Sequence, residues 1–188
     1  MAGDIEGHEI ISSEQVFNGK VVKVFLDDVR LPDGRNARWE RVEHPGAVGI
    51  VPLLDKSTLL MVRQYRHAVR GDLLEIPAGK LDRDESPVEC ARRELIEETG
   101  YRAERMTKLA EFYNSPGYSD ERFFLYAGEN LSPQESVSDP DEFLEVVKID
   151  LSEALSMVSR GSIRDAKSII GITLTALFLR GETEPYQD

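Results

Sequence analysis

The sequence predicts a mixed α/β (α+β) domain, a sheet sandwiched between helices, preceded by an antiparallel hairpin arm. Three observations carry this. Strand-like stretches separated by turn signals fill residues 16–76, one strongly capped helix follows, and two further helices close the chain. The expected division is an arm over residues 1–45 and a main domain over residues 46–188.

Length and composition agree with that plan. A chain of 188 residues suits one domain with a sizeable core, with or without an arm. Hydrophobic content of 40% and charged content of 31% are those of a soluble globular protein. A net charge of −12 argues against a nucleic-acid or anionic-membrane surface, so any positive charge for an anionic ligand has to be gathered locally. Cys90 is the one cysteine, which excludes an intramolecular disulfide and a multi-cysteine metal site. The first residues are acidic and lack an apolar leader core, so the expected compartment is the cytoplasm. The longest apolar run, Ile169 to Leu179, includes Gly171 and two threonines and falls short of the ~20 residues a membrane span needs.

Residues 1 to 13 are polar and small and read as a frayed end. Val16 to Asp27 reads as a strand, Leu31-Pro32-Asp33-Gly34 as a turn, and Arg38 to Glu43 as the returning strand. Trp39 sits among charged neighbours, a poor setting for a core residue. It is either an anchor under the hairpin or against a second subunit, or a platform for a base. Ala47 to Leu54 and Leu59 to Tyr65 form two apolar runs around Asp55-Lys56-Ser57-Thr58, the pattern of a second hairpin. Arg63, Arg66 and Arg70 follow closely. Strand alternation keeps them from all pointing one way, and Arg66 is the candidate for a diphosphate because a forked guanidinium holds phosphate oxygens in pairs. A surface ion pair is its bland alternative. Leu73 to Ile76 then leads through Pro77-Ala78-Gly79, where Gly79 permits a turn that a side chain would obstruct.

Residues 79–101 are the most informative. Ser86 is an N-cap, Pro87 takes the first helical position and Glu89 completes a capping box, while Gly100 is the natural stop. At about 100° per residue Val88, Ala91 and Leu95 share a face to be buried, and Glu94, Glu97 and Glu98 share another arc. Those acids oppose the helix, since Glu97 and Glu98 crowd the negative end of its dipole and Glu94 repels Glu98 at i,i+4, each at about 0.2 to 1 kcal/mol. A hard divalent cation would turn that repulsion into a site, against the alternative of a merely solvated acidic face. The spacing Gly79, Glu85, then Arg93-Glu94-Leu95-Ile96-Glu97-Glu98-Thr99-Gly100-Tyr101 resembles a complete Nudix box, all 23 residues of it.

After the box, Thr107 to Tyr113 and Arg122 to Ala127 read as strands around the loop Asn114 to Asp120. Asp139 to Glu145 is an acidic loop leading into a strand, Leu144 to Ile149. Asp150 and Glu153 start a short helix ending near Gly161, and Asp165 caps a longer one reaching Arg180.

The resemblance to the Nudix family sharpens these readings. It implies an α/β/α sandwich and hydrolysis of a nucleoside diphosphate linked to another moiety. The ADP-ribose pyrophosphatase branch is the one this chain most resembles, through Arg38-Trp39-Glu40, through Arg66, and through Pro116 sixteen residues beyond Gly100. That branch implies a homodimer exchanging its arms, with Trp39 against adenine and Arg38 beside it. It also implies two or more Mg²⁺ ions, with Mn²⁺ a possible substitute, held by Glu94, Glu97, Glu98 and the Ala78 carbonyl. Gly79 shapes the substrate side, Arg93 fixes box carboxylates, and Glu142 is the general base, with Asp141 and Glu145 as substitutes. The expected substrate is a nucleotide sugar, ADP-ribose first. GDP-mannose hydrolysis and a non-catalytic nucleotide sensor are the alternatives.

Overall fold

The computed structural model describes residues 7–135 and 143–186, arranged as two units. The first takes in the chain up to Gly46 together with Tyr113–Arg122. Its sheet is an antiparallel meander of β1 (Glu9–Asn18), β2 (Lys23–Arg30) and β3 (Asn36–Glu43). The arm is therefore three strands rather than the hairpin the sequence predicts. Val16 to Asp27 is not one strand, because the chain reverses at Asn18-Gly19, where the Gly19 amide donates to the Val22 carbonyl at 2.9 Å. Part of the supposed frayed end belongs to β1. Its apolar residues do not alternate, and register shifts between Ile10 and Ser12 and between Gln15 and Phe17 are the reason. The predicted turn at Leu31 to Gly34 is present, with Gly34 at φ 86°. Within the same unit the loop after Tyr113 is clipped to the end of β3. The Val42 amide donates to the Tyr118 carbonyl at 2.7 Å and the Asp120 amide to the Val42 carbonyl at 3.2 Å.

The second unit holds β4 (Ala47–Pro52), β5 (Thr58–Arg66), β6 (Gly71–Glu75), β7 (Ala78–Lys80), α1 (Pro87–Thr99), β8 (Tyr101–Tyr113) and β9 (Arg122–Pro133). It ends with β10 (Glu145–Asp150), α2 (Leu151–Ser159) and α3 (Ala166–Leu179). Four strands run in the order β7-β4-β9-β8 and three in the order β10-β5-β6, and β4 lies parallel to β9. The expected second hairpin is corrected here. β4 and β5 belong to different sheets, linked at the turn by an antiparallel bridge between Leu53 and Leu59 and by the Leu54 amide donating to the Thr58 carbonyl at 2.9 Å, so Asp55 to Thr58 carries the chain from one sheet to the other.

Strand alternation divides the core. Val48, Ile50, Phe124 and Tyr126 pack with Cys90, Ala91 and Leu95 of α1. Val51, Phe123, Leu125 and Ala127 face the other way, toward Leu59 and Met61 of β5, Ala154 of α2 and Ile172 of α3. The four-stranded sheet thus has α1 on one side and the second sheet with α2 and α3 on the other, the α/β/α sandwich the sequence predicts. Gly49 makes this possible, since a β-carbon there would stand 2.7 Å from the Phe123 ring.

Candidate active site

The helix α1 forms as its ends dictate. The Ser86 hydroxyl accepts from the Glu89 amide at 3.4 Å, the Glu89 carboxylate accepts from the Ser86 amide at 3.2 Å, and Gly100 closes the helix at φ 70°. One expectation about its faces needs correcting. Val88 is 36% exposed, whereas Cys90 and Glu98 are buried, with Glu98 only 6% exposed. The helix is turned so that its last glutamate enters the fold.

There the Glu98 carboxylate accepts the Ala78 amide at 3.0 Å. The Ala78 segment is itself held, because β7 pairs with β4 and the Ile50 amide donates to the Pro77 carbonyl at 2.9 Å. Gly79 leaves room for what lies over it. A β-carbon at that position would overlap the Glu94 carboxylate, so this glycine is the floor on which Glu94 rests.

Arg93 gathers the remaining acids. Its Nε and Nη2 donate to Glu85 at 3.0 and 2.9 Å, and its Nη1 donates to Glu94 at 2.8 Å and to Glu97 at 2.9 Å. These bonds, those to Glu85 first, hold the guanidinium charged far beyond neutral pH. In return Arg93 holds the Glu85 carboxyl below the usual carboxylate range, against the upward pull of burial. The Cys90 thiol lies beneath, pushed upward chiefly by burial, and donates to the Lys80 carbonyl at 3.3 Å.

The structure therefore brings Ala78, Gly79, Arg93, Glu94, Glu97 and Glu98 together. Among the described residues no three acid, histidine or cysteine side chains form a ready-made cage. The donors nevertheless suit a hard divalent cation. All are oxygens, a carbonyl adds a ligand without charge, and Glu94 is seated where the glycine cradle leaves room for it.

Elsewhere in this unit Arg66 lies at the end of β5, its side chain 38% exposed. Its Nε donates to Glu75 Oε2 at 2.8 Å and its Nη2 lies 2.7 Å from the same oxygen. Glu75, 2% exposed, also meets Lys167 at 2.9 Å. Sequence reasoning missed Glu75 and Lys167. The available signal was a lone acid inside the apolar run Leu73 to Ile76. The neighbouring Ile76 amide donates to the buried Ser168 hydroxyl at 2.8 Å, which ties the lead into Pro77-Ala78-Gly79 to the start of α3.

In the first unit Trp39 is 48% exposed and its ring lies 5.8 Å from that of His8. Register places it opposite Asp27, on the face that also carries Arg41, whose Nε donates to Asp27 at 2.9 Å. Arg38 pairs with Asp28 on the opposite face and its Nη2 donates to Glu14 at 3.0 Å. The tryptophan and the arginine before it thus do not share a surface. Pro116 starts the turn in which the Ser115 carbonyl accepts the Tyr118 and Ser119 amides, in the loop clipped to β3. Glu142 and Asp141 lie outside the described residues. Glu145 opens β10 and receives a 3.1 Å bond from Arg63.

The NUDIX domain profile matches residues 43–169. An ADP-ribose pyrophosphatase of Bacillus subtilis (strain 168) is 43% identical over 164 residues, which cover 86% of this chain and 89% of the relative. A methanol dehydrogenase activator of Bacillus methanolicus is 41% identical over 172 residues, 90% of this chain and 93% of the relative. Among solved structures, an ADP compounds hydrolase superposes with a TM-score of 0.84 at 26% identity, covering 94% of this chain and 96% of the other.

Proposed function

The chain belongs to the NUDIX family, and from that premise we infer that it is a hydrolase that splits ADP-ribose into AMP and ribose 5-phosphate. The observation that carries this reading is the undamaged box, in which Arg93 orders Glu85, Glu94 and Glu97 and Gly79 makes room for Glu94. The pyrophosphatase relative at 43% identity supports the choice of substrate.

In this reading Glu94, Glu97, Glu98 and the Ala78 carbonyl hold two or more Mg²⁺ ions, for which Mn²⁺ can substitute. Such ions, when bound, neutralise diphosphate charge and make water a stronger nucleophile near neutral pH. The chain does the rest. Arg93 gathers the Glu94 and Glu97 carboxylates on one nitrogen and so fixes their rotamers, and Arg66 aligns the diphosphate through the N–H groups that Glu75 leaves available. Trp39 offers its exposed ring to adenine. Arg38, on the other side of β3, braces the sheet through Glu14 and Asp28, and Arg41 is the arginine on the Trp39 face. Pro116 sets the turn clipped to the Trp39 strand. Water attacks phosphorus, the bridging P–O bond breaks, and Glu142 accepts the proton from the attacking water.

A homodimer exchanging its arms, residues 1–45 set against a catalytic domain of residues 46–188, is part of the same proposal. It is supported by Ile10, Ile11, Val16, Phe17 and Val21, all large apolar residues exposed on the arm. No helix among the described residues is long and apolar enough to cross a membrane. A cytoplasmic enzyme without nucleic-acid or membrane partners fits the charge of −12.

The deciding experiment measures product release from ADP-ribose and from GDP-mannose with Mg²⁺ and with Mn²⁺. ADP-ribose should be turned over with a kcat/KM at least tenfold the higher. Preference for GDP-mannose would overturn the substrate, and tight ADP-ribose binding without turnover would overturn the enzyme in favour of a sensor.

A further inference from the structure

Glu75 ends β6 almost wholly out of solvent, and both of its oxygens are engaged. Oε2 takes the Nε and Nη2 edge of Arg66 at 2.8 and 2.7 Å, and Oε1 lies 2.9 Å from Lys167 Nζ. Lys167 lies 2.9 Å from Asp165, which caps α3 through the Ser168 amide at 3.0 Å. A carboxylate this buried needs its charge answered. Lys167 answers it from a helix while shared with Asp165, and the arginine is the other, half-exposed partner. Gripping Arg66 by its Nε edge fixes the guanidinium plane and leaves Nη1 and one hydrogen of Nη2 directed elsewhere. Gln64 lies two residues back on the same face of β5, and its Nε2 is enclosed without a hydrogen-bond partner among the described residues. Only the half-exposed Arg66 offers its remaining N–H groups to an anionic ligand; the enclosed Gln64 amide does not.

We propose that Glu75 is a positioning residue of the hydrolytic site: it acts through Arg66, presetting the guanidinium for the diphosphate, and Lys167 holds Glu75 in place. This rests on the reading of Arg66 as the diphosphate contact.

The test is a double-mutant cycle of Arg66→Ala and Glu75→Gln, read as kcat/KM for ADP-ribose with Mg²⁺. Arg66→Ala should lower kcat/KM roughly ten- to hundredfold, the range of a charge-assisted hydrogen bond. Glu75→Gln should lower it by about tenfold, and the double variant should fall within twofold of Arg66→Ala, since a positioning residue has nothing left to position. Losses that multiply would show a general structural role and overturn the proposal. Arg66→Ala costing activity while Glu75→Gln leaves it intact would overturn this proposal alone. An unchanged Arg66→Ala would overturn the diphosphate assignment and this proposal with it. Should Glu75→Gln fail to fold by circular dichroism, Glu75→Asp replaces it in the cycle. That variant keeps the buried charge and withdraws it by one methylene, so its smaller loss should also vanish in the Arg66→Ala background; a loss that persists there overturns the proposal.

Discussion

Two charged clusters in the second unit are built on opposite balances. At α1, Asp82, Glu85, Glu94 and Glu97 all reach for Arg93, and Glu98 is buried nearby, so the cluster is rich in carboxylates. At the end of β6, Glu75 lies between Arg66 and Lys167, and Asp165 meets Lys167, two acids against two bases. The balanced cluster is complete without a ligand and can hold a shape in advance. The acid-rich one gathers carboxylate oxygens of the kind a hard cation takes. Preorganisation and ligand demand thus fall to different residues, although Glu75 stands only three residues before Ala78.

The sharpest way to break the comparison is to remove charge from the acid-rich side. Glu98→Gln should cost roughly 10³-fold in kcat with Mg²⁺, because a lost ligand removes several kcal/mol of charge stabilisation. Near wild-type hydrolysis would mean that Glu98 only holds the Ala78 amide and is no ligand. A smaller effect is expected from crowding the cluster without changing its charge. Gly79→Ala drives a β-carbon into the Glu94 carboxylate, which has to turn away, and kcat should fall about a hundredfold with folding retained. Circular dichroism beside the kinetics checks this, and unchanged kcat would show that Glu94 has no fixed seat.

The smallest effect concerns stability. Glu85 is held below the usual carboxylate range chiefly by Arg93. A depressed carboxyl contributes stability that is fully present above its unfolded pKa, about 4.3, and is lost as pH falls through the folded value. Thermal unfolding of Glu85→Gln should therefore show a deficit against wild type at pH 7 that shrinks below about pH 4. A deficit constant with pH would assign the loss to packing instead.

What could be read from the sequence was local. The capping box, Pro87 and Gly100 specify α1 within one stretch of chain, and they appear as written. Asp150 and Asp165 likewise cap α2 and α3. What was lost depended on partners far along the chain. β1 escaped notice because its bulges disrupt the alternation a strand is recognised by. The hairpin at Asp55 to Thr58 was misread because adjacency in sequence does not decide which sheet a strand joins. Glu98 was placed with its neighbours on an acidic face, whereas the Ala78 amide draws it inward. Glu75 showed locally only as an acid inside an apolar run, and its partners could not be read there, since Lys167 and Ser168 reach it and Ile76 only across the tertiary fold.

The lone cysteine under α1 has a practical corollary. Cys90 is fully enclosed and its thiol is held in the protonated, unreactive form. The folded protein is therefore chemically silent toward maleimides and other thiol reagents, a ready blank for site-directed labelling. A cysteine introduced at Val16 or Val21 on the arm would be its one reactive handle, and a spin label or fluorophore attached there would report directly on whether arms are exchanged between copies.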